Sequence, residues 1–165
     1  MVMTSNNIQL LEQAADLLAQ LDDDLYSLPP IGLAKSGVGG HVRHCLDFYS
    51  SFLNGMNQGK IDYDSRSRDL ETEQDRLKAM SRIEGTISQL REVGGDQNLP
   101  LLVKLEGENS PGWCQSSIGR ELQFLLSHTV HHYALIAMLL RIKGFDPPPE
   151  FGIAPSTLKH WRAKA

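Results

Sequence analysis

The chain has 165 residues, 41% of them hydrophobic and 22% charged, with a net charge of −4. Those values describe one ordinary globular domain with room for a real core. They argue against a nucleic-acid binder, since no cluster of lysines and arginines offsets the acidic balance. Two cysteines, Cys45 and Cys114, and an N-terminus with neither a basic nor an apolar leader region predict a cytoplasmic protein with reduced thiols.

In chain order, the first predicted helix covers about Ile8 to Leu28, with Leu11, Ala14, Ala15, Leu18, Leu21 and Leu25 at helical spacing, and stops at Pro29-Pro30. The second begins after Gly39-Gly40 and runs to about Met56, burying Val42, Cys45, Leu46, Tyr49, Phe52, Leu53 and Met56. A long polar connection containing "DYDSRSRD" follows. The third helix is predicted over Leu70 to Val93, burying Leu77, Met80, Ile83, Ile87 and Leu90 and ending at Gly94-Gly95. A small hairpin is expected near Leu99 to Glu106. The fourth helix should run from Ile118 to Lys143 with Ser117 as its N-cap, before a proline-rich tail that ends in a short helical turn after Pro155. The expected fold is all-α: a four-helix bundle over residues 1–145, with a long connection between helices 2 and 3 and a tail over 146–165 packed on it.

The fourth helix carries the main puzzle. From Leu122 to Leu140, "LQFLLSHTVHHYALIAMLL", there is no Asp, Glu, Lys or Arg, yet three histidines stand in the middle. Their polarity argues against a membrane span. Residues advance by about 100° around a helix, so His128 and His132 lie about 40° apart on one face, while His131 lies about 60° to the other side. Two imidazoles one turn apart can share a metal ion, and either His41 or His44 of the second helix could complete a three-histidine site. The competing reading is a hydrogen-bonded polar core without metal. A zincin site fails because Thr129 follows His128, and a di-iron carboxylate site fails because no Glu precedes a His by three.

"GGHVRHCLDFYSSF" together with "SHTVHHYALI" resembles the DinB-like superfamily of four-helix bundles. Its members place one metal-ligating histidine on helix 2 and an H-x-x-x-H pair on helix 4. The resemblance implies His44, followed three residues on by Asp47, with His128 and His132 as ligands. His41 and His131 are then spare ligands or lie beside the ligand shell. Ala134 and Leu135 depart from the Gly and Gln of the family pattern. The resemblance further implies a divalent ion (zinc, nickel or iron) and a small-molecule substrate such as a low-molecular-weight thiol. Relatives include thiol-dependent transferases, a maleylpyruvate isomerase and domains of sulfoxide synthases, so the family indicates a site more firmly than a reaction. A non-catalytic bundle with a structural or stress-response role is the alternative.

Candidate catalytic groups are sparse. Arg66 and Arg68 could grip a substrate carboxylate, or simply pair with Asp62, Asp64 and Asp69 in a solvated loop. Glu121, two turns before His128, could serve as a base through water. The apolar character of the fourth helix on nearly all sides leads to the expectation of a homodimer.

Overall fold

In the computed structural model, which describes residues 2–30, 35–66, 68–104 and 112–164, the chain is mostly helical with a small three-stranded sheet. The elements are α1 (Val2–Gln20), α2 (Asp23–Tyr26), α3 (Val38–Met56), β1 (Lys60–Asp62), α4 (Leu70–Gln74), α5 (Arg76–Glu92), β2 (Pro100–Lys104), β3 (Trp113–Ser117), α6 (Ile118–Ile142) and α7 (Pro155–Arg162). The long helices share one core: α3 packs on α5 and α6, and α1 packs on the same two. No helix among the described residues is long and apolar enough to cross a membrane.

Helix α1 starts earlier and ends earlier than its leucine pattern predicts. The reason lies in Asp22-Asp23-Asp24. Aspartate serves a helix better as a cap than in its interior. Asp22 accepts the Leu25 amide at 2.7 Å and starts the separate turn α2, which seats Tyr26 in the core. Instead of one helix from Leu70 to Val93 there are two. At Asp75 the backbone is extended, with φ −115° and ψ 108°, and its carboxylate caps α5 by accepting the Lys78 amide at 3.0 Å. The buried stripe of α5 is Ala79, Ile83, Thr86, Ile87 and Leu90, so Leu77 faces solvent, 63% exposed, contrary to expectation.

The connection after α3 also holds more structure than its polarity suggests. β1 pairs in parallel with β2, Ile61 opposite Val103, and β2 pairs antiparallel with β3, Leu102 opposite Gln115. The span expected to form a hairpin, Leu99 to Glu106, supplies one strand, β2, of a three-stranded sheet, and its antiparallel partner β3 comes later, at Trp113–Ser117; Leu105 and Glu106 lie outside the described residues. Ile61 and Tyr63, set among polar neighbours in the sequence, are both fully buried. Ser117 caps α6 as predicted, accepting from the Arg120 amide.

Close helix approach depends on Gly39 in the first turn of α3. A Cβ there would lie 2.0 Å from the Glu73 carbonyl oxygen on α4. Gly85, in the middle of α5, faces open space. Gly39→Ala is therefore expected to destabilise by about 1–3 kcal/mol through overpacking. Gly85→Ala is expected to stabilise by roughly 0.5–1 kcal/mol through helix propensity and a less flexible unfolded chain. Denaturant titration of the two variants beside the parent checks both signs.

Candidate metal centre

Two helices build the site. On α3, His41, His44 and Phe48 follow one another along one side; on α6, Phe124, His128 and His132 do the same at steps of four. The α3–α6 packing brings the two rows together. His44 lies with its ring centroid 5.0 Å from His128 and 4.6 Å from His132, and His128 and His132 are 4.6 Å apart. One nitrogen from each of the three rings lies within 4.8 Å of the other two, and all three residues are half-buried. Of the five histidines on these helices, these three form the cluster that could hold an ion.

His41 and His131 take different places. His41 Nδ1 lies 2.9 Å from His132 Nδ1, a hydrogen bond between two imidazoles. Only one of them can donate. When His132 donates from Nδ1, its Nε2 carries the free lone pair, and His41 orients the ring as partners of metal-bound histidines commonly do. His131 is exposed, with its ring 5.2 Å from that of His132.

Whether these residues suit a metal can be judged from their protonation and partners. Burial pushes the pKa of His44 and of His128 down to about 4 and that of His132 to about 3. The neighbouring imidazoles and, for His44 and His128, the charge of Arg66 push in the same direction. His41 is lowered too, first by burial and then by His131. The rings are therefore neutral at physiological pH, the form that ligates. His128 Nε2 is buried and has no hydrogen-bond partner among the described residues. A buried polar atom with no partner is costly, and a cation supplies what it lacks. The donor set fits a divalent ion.

Aromatic rings wall the cluster on one side. Phe48 lies 4.3 Å and Phe124 5.5 Å from His128, and Tyr63 packs on both, 5.1 Å from Phe48 and 5.3 Å from Phe124. The i, i+4 steps from His44 to Phe48 and from Phe124 to His128 would have revealed two of these rings. Tyr63 comes from the connection after β1 and had no periodic signal. Its hydroxyl donates to Glu121 at 2.9 Å, and the Ser116 hydroxyl donates to the other oxygen of the same carboxylate at 2.5 Å. Glu121 is thus buried with both oxygens engaged, beyond the aromatic wall.

The two loop arginines separate. Arg66 is half-buried with its guanidinium carbon 4.2 Å over the Phe48 ring, whereas Arg68 is exposed. Arg43 turns to Asp47 and Glu73, at 2.8 Å each, and Arg82 of α5 reaches Asp47 at 3.2 Å. Asp47, three residues after His44, is 3% exposed and serves as a helix-to-helix tie.

Comparison with known proteins places this arrangement. Over 104 residues the chain is 38% identical to FK506-binding protein 5 of Rhizopus delemar; the shared stretch is 61% of this chain and 27% of that protein, so the chain spans about a quarter of that relative's length. The fold is similar to the crystal structure of a DinB-like protein, YjoA, from Bacillus subtilis, with a TM-score of 0.66 over 90% of this chain and 96% of that one. Sequence identity there is 16%, so the likeness is one of fold. The DinB superfamily matches residues 8–136, which include the whole histidine cluster, and the chain belongs to that superfamily.

Proposed function

We propose that the chain is a four-helix bundle built on α1, α3, α5 and α6, in which His44, His128 and His132 hold a divalent metal ion. Residues 1–145 form the bundle, and residues 146–165 pack on it as a tail whose buried Phe151 stacks 4.6 Å from Tyr133. The observation that carries the reading is the convergence of one ring nitrogen from each of three histidines, beside which His128 Nε2 is buried without a partner among the described residues. Zinc, nickel and iron all suit three imidazoles. When bound, such an ion lowers the pKa of a coordinated small thiol or water enough to give a nucleophile near neutrality. In this reading the protein is a metal-dependent enzyme of the thiol-transferase type. The chain's own contribution is to hold three neutral imidazoles, orient His132 through His41, and keep water from one flank with Phe48, Phe124 and Tyr63.

A structural ion without catalysis is the second reading. It is favoured by one observation: Glu121, the candidate carboxylate base, has both oxygens occupied. Protein purified without a polyhistidine tag or nickel resin should contain close to one metal ion per chain. In a thiol-transfer assay the metal-loaded parent should be active and His128→Ala inactive; equal rates would leave the structural reading in possession.

Substitution separates the ligands from the residue behind them. Ala at His44, His128 or His132 should reduce metal affinity by more than the roughly 10–100-fold expected for His41→Ala, which removes only an orienting partner. His160→Ala, at an exposed position of α7, should have no effect. Chelator competition measures all five.

The lowered histidine pKa values set two pH dependences. An ordinary histidine titrates near 6.5, so three such ligands would lose about a thousandfold in apparent affinity between pH 7.5 and 5.5. With folded values of about 4, 4 and 3, affinity should change by no more than about threefold over that interval. For the metal-free protein, the unfolded chain takes up these protons first. Its stability is complete above about pH 6.5 and falls as pH drops through 6.5 toward 4. Melting temperature against pH should show that decline, and bound metal should postpone it.

We also infer a homodimer through α6. Met138 and Ile142, one turn apart on that helix, are 59% and 64% exposed, an apolar pair left uncovered by the described residues. Sedimentation should show a dimer that Met138→Asp with Ile142→Asp converts to a monomer; a monomeric parent would remove the inference.

A further inference from the structure

Arg66 owes its place to three local features. β1 pairs with β2, and the Tyr63 amide continues that pairing by donating to the Lys104 carbonyl at 3.2 Å. Asp62 then accepts the amides of Asp64 and Ser65, at 3.0 and 3.1 Å, an Asx turn that reverses the chain. The next residue, Arg66, comes back over Phe48 at 4.2 Å, beside the ring that touches His44 at 4.9 Å and His128 at 4.3 Å.

The environment of that guanidinium is unusual for the molecule. Arg43, Arg76, Arg82, Arg91, Arg141 and Arg162 each form an ion pair with a carboxylate. Arg66, Arg68 and Arg120 form none among the described residues; of these three Arg66 is the half-buried one, and its charge is felt by His44 and His128 as well as by the carboxylates of Asp64 and Asp47. Five N–H donors in a planar fork, held over an aromatic face, suit a carboxylate or another planar oxyanion. Asp64 and Asp47 offset part of the guanidinium charge, and an anion lying between Arg66 and a divalent site would offset the remaining repulsion between the two cations.

We propose that Arg66 is the positioning residue for an anionic group, a carboxylate by preference, on the substrate whose reacting atom lies at His44, His128 and His132. The proposal rests on the metal reading above and narrows it to acidic substrates. A thiol acid would be gripped at two points, its carboxylate by the guanidinium and its sulfur at the histidine cluster, the thiol proton leaving to solvent. Neutral thiols would have only the second hold. Arg68, exposed, has no part in it.

The test uses the full chain loaded with cobalt(II), whose visible spectrum reports both the histidine site and thiol binding. The probes are 3-mercaptopropionate and its uncharged amide, 3-mercaptopropionamide. The parent should bind the acid about tenfold or more tightly than the amide, as a charge-assisted hydrogen bond requires. Arg66→Gln should bind the two alike while keeping the cobalt spectrum of the parent, and Arg66→Lys should fall between them. A parent with no preference, or an Arg66→Gln variant that keeps the preference, overturns the proposal. Should the histidines take up no cobalt, the metal reading falls separately. The Arg66 Nε–H resonance of the metal-free protein, titrated with propionate, then decides: a saturable shift supports the anion site and an unmoved resonance ends it.

Discussion

The arrangement of the site depends on the register of α3 against α6, and that register is held by polar atoms in the core rather than by the apolar packing around them. Leucine and isoleucine side chains tolerate sliding by a turn at modest cost, whereas a buried hydroxyl or amide must meet one particular partner. Tyr49 of α3 donates to Asn7 Oδ1 at 2.7 Å, and Asn7 Nδ2 donates to the Leu122 carbonyl of α6 at 3.0 Å. Thr129 of α6 reaches back to the Tyr49 hydroxyl at 3.3 Å, and Tyr133 donates to the Leu10 carbonyl of α1 at 3.0 Å. A slip of either helix would strand several of these groups at once, each costing about 1–3 kcal/mol. Thr129 follows His128 and Tyr133 follows His132, so the ties that lock the helix sit one residue from the imidazoles they place.

A second set of ties works through charge. Asp47 is almost fully buried between Arg43 and Arg82, and Arg82 continues to Asp69 and Thr72 at the start of α4. A buried ion pair contributes little net stability, but removing one partner leaves an uncompensated charge and is strongly destabilising. Its structural effect is to hold α3, α4 and α5 at one relative rotation. Because Asp47 lies nearly one turn beyond His44, the same rotation turns His44 toward α6. The acidic residue three places after the histidine thus aims the helix without touching the cluster.

Much of this was legible in the sequence, and what was not has identifiable causes. Helix α6 and its Ser117 cap follow from periodicity and capping chemistry, and the pair His128 and His132 follows from a step of four. Choosing His44 over His41 did not follow from spacing, because either could be turned inward; the family resemblance made that choice. Helix α5 was misread at Leu77 because Asp75, four residues into a charged run, ends one helix and caps the next, a role that competes with helix continuation only through its side chain. The strand β1 was hidden for a different reason. Three residues, "KID", carry no alternation long enough to register, and their partners in β2 lie about forty residues away, so the pairing is entirely tertiary.

That small sheet has more to do with the site than its size suggests. The engaged carboxylate of Glu121 clasps Tyr63 after β1 and Ser116 of β3, fixing the sheet to the first turn of α6. Burial and the adjacent carboxylate hold the Tyr63 hydroxyl protonated, its pKa well above the usual phenol value, so it remains a donor and the clasp stays closed. With Tyr63 fixed, its ring supports Phe48 and Phe124, and the Asp62 turn that follows carries Arg66 over Phe48. Glu121 therefore acts on the site as an anchor two contacts removed. Under the proposed metal reading, Glu121 would take no direct part in acid–base chemistry at the cluster, and selectivity would rest with Arg66, which the sheet delivers.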